Sequence, residues 1–289
     1  MSEAVAQAIA SGLLLGSVYA LFSAGLTLVW GMMGVINFAH GDFVMLGMFV
    51  AFAIVGLVGS GFGAFVPLTA IALAVIGVLA YFLIVRPISK GPVIAQSLGT
   101  FGLALLIRYS VFMVFGPDIR TLPSEILAGT VSVGTVHIEL SRLLAGLVGL
   151  VLTVGFHLFL VHTSIGSRMM AVAEDTTAAQ LMGIRPSYMQ ALAWGLAGAA
   201  TGIAGALIAT FFPISPMSGQ VFLLIAFVTV TLGGFGSVLG ALLGGLVIGL
   251  VQSLSAVLIS PIYENVIVYA LFIFILWIRP QGFLGISAQ

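Results

Sequence analysis

Apolar residues in this chain run in long unbroken blocks, not in the alternating or one-faced patterns of water-soluble strands and helices. A helix that crosses a bilayer needs roughly 20 such residues. Blocks of that kind fall at about 4–30, 66–85, 94–116, 141–162, 188–212, 237–258 and 262–278. Two shorter blocks, 43–58 and 221–232, each adjoin a glycine-bearing stretch: 31–42 before the first and 233–236 after the second. Irregular backbone at membrane depth is tolerated only inside protein, so the pattern predicts two broken helices. The expected fold is an all-α integral membrane protein of about 8–9 transmembrane segments, some broken or re-entrant.

Composition sharpens this. Of 289 residues, 61% are hydrophobic and 6% charged, against roughly 25% charged in an ordinary soluble domain. Eight basic and eight acidic residues cannot cover a soluble fold of this length, so the bilayer must be its main solvent. A net charge of zero excludes a basic surface for nucleic acid, and the absence of cysteine excludes thiolate chemistry. Residues 1–7 carry no basic residue, unlike a cleaved signal peptide, so the first helix is expected to stay in the membrane. If every block crosses, Arg86, Lys90, Arg168, Arg185 and Arg279 share one side, while Glu3, Asp118, Glu125, Glu139 and Glu264 collect on the other. The positive-inside rule makes the first side cytoplasmic, with the N-terminus outside and the C-terminus inside.

Two connections are long enough to hold structure. The outer one, about 117–140, contains TVSVGTVHIE (130–139), which alternates about Gly134-Thr135 and predicts a small β-hairpin. The cytoplasmic one, about 163–187, carries Arg168, Glu174, Asp175 and Arg185 among alanines and predicts a short amphipathic helix near 170–183. Glu174 and Asp175 are expected near its start, complementing the helix dipole. Gly183 is expected to end it.

The densest polar cluster in apolar surroundings is Asn37, His40, Gly41 and Asp42. Such groups at membrane depth face a cavity or one another; the cluster suits either the lining of a solute's path or the capping of the next helix. A metal site is not expected, because no second His stands at ligand spacing. The two interrupted segments, near 31–58 and 221–249, form a corresponding pair of the kind that marks a transporter's midplane site. Leu26-Thr27-Leu28 ahead of Gly31 faintly echoes Thr229-Val230-Thr231-Leu232 ahead of Gly233. Thr229, Thr231, Gly233 and Gly234 therefore join the candidate path. Gly236, Gly240 and Gly244, continued by Gly245 and Gly249, form a small-residue ladder, and Ala191, Gly195, Gly198, Gly202 and Gly205 form another. Both suit close helix packing. Arg108, about seven residues from the outer end of its span and so roughly 10 Å deep, is expected to snorkel to the headgroups. Gln96 and Gln252 are expected to bond between helices. No G-x-x-x-x-G-K-[ST] occurs, so the chain cannot cradle nucleotide phosphates.

The stretch 25–47, GLTLVWGMMGVINFAHGDFVMLG, resembles the signature of Liv-type permeases, the membrane subunits of branched-chain amino-acid ABC transporters. AVAED (171–175) with TAAQLMG (177–183), TLGGFGSVLG (231–240) and RPQG (279–282) resemble further parts of that family. The resemblance implies a single permease domain over 1–289 in the bacterial inner membrane. It implies import of leucine, isoleucine, valine or similar solutes by ATP-driven alternating access. It also implies no catalytic residues and no cofactor of the chain's own. ATP and Mg would sit on two cytoplasmic ATPase subunits, with a second related permease and a periplasmic binding protein completing the assembly. Arg168, Glu174, Asp175, Thr177, Ala178, Ala179 and Gly183 then fall in the ATPase-coupling loop. Thr177 stands where such importers often have Glu, which removes one expected salt bridge to the ATPase. Urea, short amides or small carboxylates are alternative cargoes for the same machinery. An ion-coupled secondary transporter or a passive channel is the reading from another class.

Overall fold

A computed structural model describes residues 2–58, 61–89, 91–122, 127–278 and 281–284. All nine apolar blocks are helices: α1 (Ser2–Met33), α2 (His40–Val58), α3 (Phe62–Ile88) and α4 (Val93–Phe115) precede the hairpin β1 (Thr130–Val133) and β2 (Val136–Glu139). Then follow α5 (Leu140–His162), two short helices α6 (Ser164–Glu174) and α7 (Thr176–Leu181), α8 (Pro186–Ile208), α9 (Ser218–Gly233), α10 (Val238–Leu258) and α11 (Glu264–Ile278). Eight of these are long and apolar enough to cross a membrane, and α9 is the shorter apolar one. The chain is an all-α integral membrane protein.

Contacts between connections sort the helix ends into two sets. At one end Gln7 and His137 exchange two hydrogen bonds (2.6 and 2.8 Å), tying the start of α1 to the hairpin. Arg120 and Ile214 pair their backbones there, joining the segments after α4 and after α8. Glu139 and Glu264 lie at this acidic end. At the opposite, basic end the backbone of Phe283 and Leu284 bonds Leu232 and Gly233 at the close of α9. Arg86, Arg168 and Arg185 lie on this side. Lys90, Glu125 and Arg279, which entered the charge count, fall outside the described residues.

The helices form two like groups running in opposite directions, α1–α4 and α8–α11, joined through α5. The groups interlock: α1 of the first lies antiparallel to α10 of the second, with Gly12 opposite Gly249 and Gly16 opposite Gly245. Likewise α8 of the second lies antiparallel to α3 of the first, with Gly198 and Gly202 against Leu73 and Gly77 against Trp194. These are the two most extensive interfaces in the molecule. Small residues line both interfaces; without a hydrophobic drive between helices in lipid, association rests on close backbone approach. The ladder divides its work: Gly240 and Gly244 meet α9 at Gly233 and Thr229, while Gly245 and Gly249 meet α1. Gly236 differs from expectation. It stands in the turn before α10 with φ +84°, which only glycine adopts freely, and its N–H donates to Thr27 Oγ1 at 2.7 Å. Gly249→Val should lower unfolding stability in detergent by about 1–3 kcal/mol, since its Cβ runs into the Gly12 carbonyl and Gly16 backbone. Gly155→Val, at a site with open space around it, should be neutral in the same thermal unfolding assay.

The broken pair differs in one respect. The irregular stretch of the second half, 209–217, precedes α9; 233–236, which follows it, is a tight turn into α10. The counterpart of 34–58 is therefore 209–233. A helix can be interrupted on either side of a short apolar block, and only the packing partner shows which side is used.

Candidate functional site

Met33 is the last residue of α1, and Gly34, with φ +62°, takes the chain out of the helix while its N–H still bonds the Trp30 carbonyl at 2.7 Å. The backbone of 35–38 then runs without helical bonds inside the protein and must find other partners. Thr100 of α4 supplies two: its Oγ1 donates to the Ile36 carbonyl (2.8 Å) and accepts from the Phe38 N–H (3.3 Å). Asn37 supplies another, its Oδ1 accepting from the Ala39 N–H at 3.0 Å in an Asx turn that opens α2. His40 Nε2 meets the Phe22 carbonyl of α1 at 2.7 Å.

Asp42 forms a bidentate pair with Arg108 of α4. Arg108 Nε donates to Oδ1 and Nη2 to Oδ2, both at 2.9 Å, with the Asp42 side chain wholly buried and the Arg108 side chain 9% exposed. The expectation that Arg108 snorkels is thereby corrected. A fork-to-fork pair with a carboxylate satisfies the guanidinium geometry more fully than a headgroup roughly 10 Å away. Asp42 is also not the cap of α2; that turn belongs to Asn37. With relative exposures of 1%, 1% and 0%, Asn37, His40 and Asp42 are sealed within the chain in this conformation. They brace the broken helix, and none presents a polar atom to an open channel.

Gly41 places the start of α2 directly against α9, where any side chain would strike the Gly219 carbonyl and the Leu223 backbone. Gly219 in turn faces Asp42, and the Phe38 and Phe227 rings lie 5.9 Å apart. Residue order along the two segments is opposite, so α2 and α9 start beside one another and run toward opposite ends. The mutually abutting helix starts form one buried junction.

Thr229, Thr231, Gly233 and Gly234 lie at the far end of α9 and just past it, about 15–22 Å along the chain's rise from Gly219. Thr229 and Thr231 are buried, and among the described residues the Thr229 hydroxyl has no hydrogen-bond partner. Gly233 packs on Gly240, and Gly234 (φ +99°) turns the chain next to Gly282. The structure thus keeps this set apart from Asp42. Gln252 bonds between helices as anticipated, accepting from Tyr19 OH at 2.8 Å. Gln96 instead donates to the carbonyls of Ser89 and Gly91, holding the turn before its own helix.

The basic-end loop is two helices, not one. Asp175 ends α6, and its Oδ1 accepts from the N–H groups of Thr177 (2.7 Å) and Ala178 (3.0 Å), capping α7. Glu174 accordingly lies at the end of α6, so only Asp175 meets the positive start of a helix. Gly183 closes α7 with φ +82°, and the Ile184 N–H reaches back to the Ala179 carbonyl at 3.0 Å. Met169, Val172 and Ala179 are buried against α1, α5 and α8. Arg168, Glu174, Asp175, Thr177, Ala178 and Gly183 are exposed, and Leu181 and Met182 project outward with 85% and 83% of their surfaces accessible. These last two were not singled out in the sequence, where they read as ordinary apolar helix positions.

Comparison with known proteins agrees with this architecture. Residues 8–276 match the family described as branched-chain amino acid transport system / permease component. The high-affinity branched-chain amino acid transport system permease protein LivH of Escherichia coli (strain K12) is 32% identical, covering 95% of this chain and 94% of its own length. The corresponding protein BraD of Pseudomonas aeruginosa is 30% identical over 96% and 95%. A probable branched-chain amino acid transport permease LivH of Methanocaldococcus jannaschii is 28% identical over 92% and 88%. No solved structure matches. A helical membrane architecture with a broken central pair, matched from near one terminus to near the other, leads to one conclusion: the chain belongs to the branched-chain amino acid transport permease family.

Proposed function

We propose that the chain is the membrane-spanning permease subunit of an ATP-driven importer in the bacterial inner membrane, carrying leucine, isoleucine, valine or similar small solutes inward. It pairs with a second related permease, two cytoplasmic ATPase subunits that hold ATP and Mg, and a periplasmic binding protein. The basic end faces the cytoplasm. The observation that carries this reading is the α6–α7 unit. It is firmly seated on the bundle by Met169, Val172 and Ala179, yet it holds Leu181 and Met182 out at the polar end, where exposed apolar side chains mark a contact with another protein. The relatives' names, all of them transport-system permeases, support the same reading.

A route for coupling follows from the packing. Pro186 starts α8 five residues after α7 ends, so a pull on α7 reaches α8 with little slack. Gly205 of α8 lies against Val44 and Met48 of α2, and Gly47 of α2 against Gly202. Displacement of α8 therefore acts on α2, whose start abuts α9. Through Asp42–Arg108 the same motion is tied to α4. Alternating access then amounts to rigid shifts of packed helices about the α2–α9 junction.

The direct test is uptake by the complete complex in proteoliposomes. Leucine entry should require ATP on the ATPase side and loaded binding protein on the other. Uptake by this chain alone, driven by a sodium or proton gradient, would overturn the importer reading.

A further inference from the structure

The molecule holds a cavity of about 430 Å³ at its acidic end, between α1, α9, α10 and the start of α11. That volume lies within the range of small-molecule sites, roughly 300–1,000 Å³. Much of its wall is aliphatic or aromatic, with Leu15, Val18, Ile208, Phe222 and Ile225 facing in. A relay of polar groups interrupts that wall. Tyr19 OH donates to Gln252 Oε1 at 2.8 Å, and Gln252 Nε2 donates to Asn265 Oδ1 at 3.5 Å. The Gln252 amide has two N–H donors, and among the described residues only the bond to Asn265 engages either. Two opposite charges complete the lining: Arg142 in the first turn of α5 and Glu264 at the start of α11. Arg142 rests over the Phe211 ring at 5.7 Å and gives only its Nε edge to Glu139, at 3.1 Å. Among the described residues its two terminal nitrogens remain for a further acceptor.

Each class of occupant makes different demands on such a lining. A lipid acyl chain has no use for an amide relay, and polar groups at this depth are costly without a polar partner. A simple ion matches one of the two charges and none of the apolar wall. A molecule with a carboxylate, an ammonium and an aliphatic side chain uses all three features. We propose that this cavity is a binding site for a zwitterionic α-amino acid with an aliphatic side chain, its carboxylate on Arg142, its ammonium toward Glu264 and its side chain on the apolar wall. The inference rests on the importer reading and locates within this one chain a station where the solute pauses after leaving the binding protein.

The test uses the full complex in lipid nanodiscs, with radiolabelled L-leucine binding in the absence of the binding protein as the readout. Leucine should bind and be displaced by valine, while leucinol, which lacks the carboxylate, should bind about tenfold more weakly. Arg142→Gln and Glu264→Gln should each weaken leucine binding by about tenfold and raise the uptake KM. Ala256→Phe, which fills the cavity from a half-buried position, should abolish binding while leaving thermal unfolding unchanged. Wild-type binding that survives all three substitutions, or normal uptake KM in them, overturns the proposal. So does a co-purified lipid that Ala256→Phe expels but leucine does not displace. A complex that transports another solute and never leucine defeats the cargo assignment instead. In that case the cavity site stands only if the transported solute binds and Ala256→Phe removes it.

Discussion

Asp42→Ala should destabilise the protein by about 3–5 kcal/mol, because it leaves the Arg108 guanidinium buried among apolar helices without its carboxylate. The cost arises on the arginine's side. In water the lost partner would be replaced by solvent, but here neither side chain is more than 9% exposed. Asp42→Asn should be milder, since an amide oxygen still accepts from Arg108, although the charge compensation is gone. The double variant Asp42→Ala, Arg108→Met should recover most of the stability, as replacing both members of a buried pair by apolar groups is often neutral. Thermal unfolding of the four proteins in one mild detergent reads this directly. A loss below about 1 kcal/mol in Asp42→Ala would mean that water or a headgroup reaches Arg108. Uptake should stay impaired in the double variant even with stability regained, because the pair ties α4 to the α2–α9 junction through the transport cycle. Full uptake there would reduce the pair to a structural tie.

Gly183→Trp and the pair Leu181→Asp, Met182→Asp should uncouple the transporter with little effect on its fold. All three positions are exposed, and a Cβ at Gly183 meets nothing within 4 Å among the described residues, so the changes disturb no internal packing there. The tryptophan adds bulk at the tip and also local strain of about 1–2 kcal/mol from φ +82°. Gly183→Asn separates the two causes, because asparagine tolerates the left-handed region, and it should keep most of the activity. If Leu181 and Met182 seat in a groove of an ATPase subunit, as proposed, burying a carboxylate at either position is costly. Loss of an anchoring contact of this kind corresponds to 2 kcal/mol or more, roughly a thirtyfold weakening. The readout is stimulation of ATP hydrolysis by loaded binding protein in reconstituted complexes, with co-purification checking assembly. Stimulation at wild-type level in properly assembled variants would remove this loop from energy coupling.

Fold class, the helices and the hairpin follow from local physics that the sequence displays openly. Blocks of about 20 apolar residues must be helical in lipid because their backbone groups have no other partners. Gly134-Thr135 between alternating residues makes a hairpin wherever it stands. Gly183 as a helix end was likewise legible, since a left-handed stop needs only the glycine itself. The break at Asp175 was less so: a residue that closes one helix while capping the next looks, in sequence, like an acidic residue inside a longer one.

What tertiary structure decided was which polar groups meet. Asp42 and Arg108 stand 66 residues apart, and nothing in either neighbourhood favours that pairing over snorkelling. The choice was made when α4 packed beside the start of α2. Gly41 read only as part of a polar cluster, and Gly219 as an unremarkable glycine, until the two helix starts were seen to abut. The acidic-end cavity draws Tyr19, Arg142, Gln252 and Glu264 from four separate helices. Hydropathy and helix signals act over one or two turns of chain, so a sequence discloses its elements. The partner of a buried charge depends on which helix faces are brought within a few ångströms, and that is a property of the assembled bundle alone.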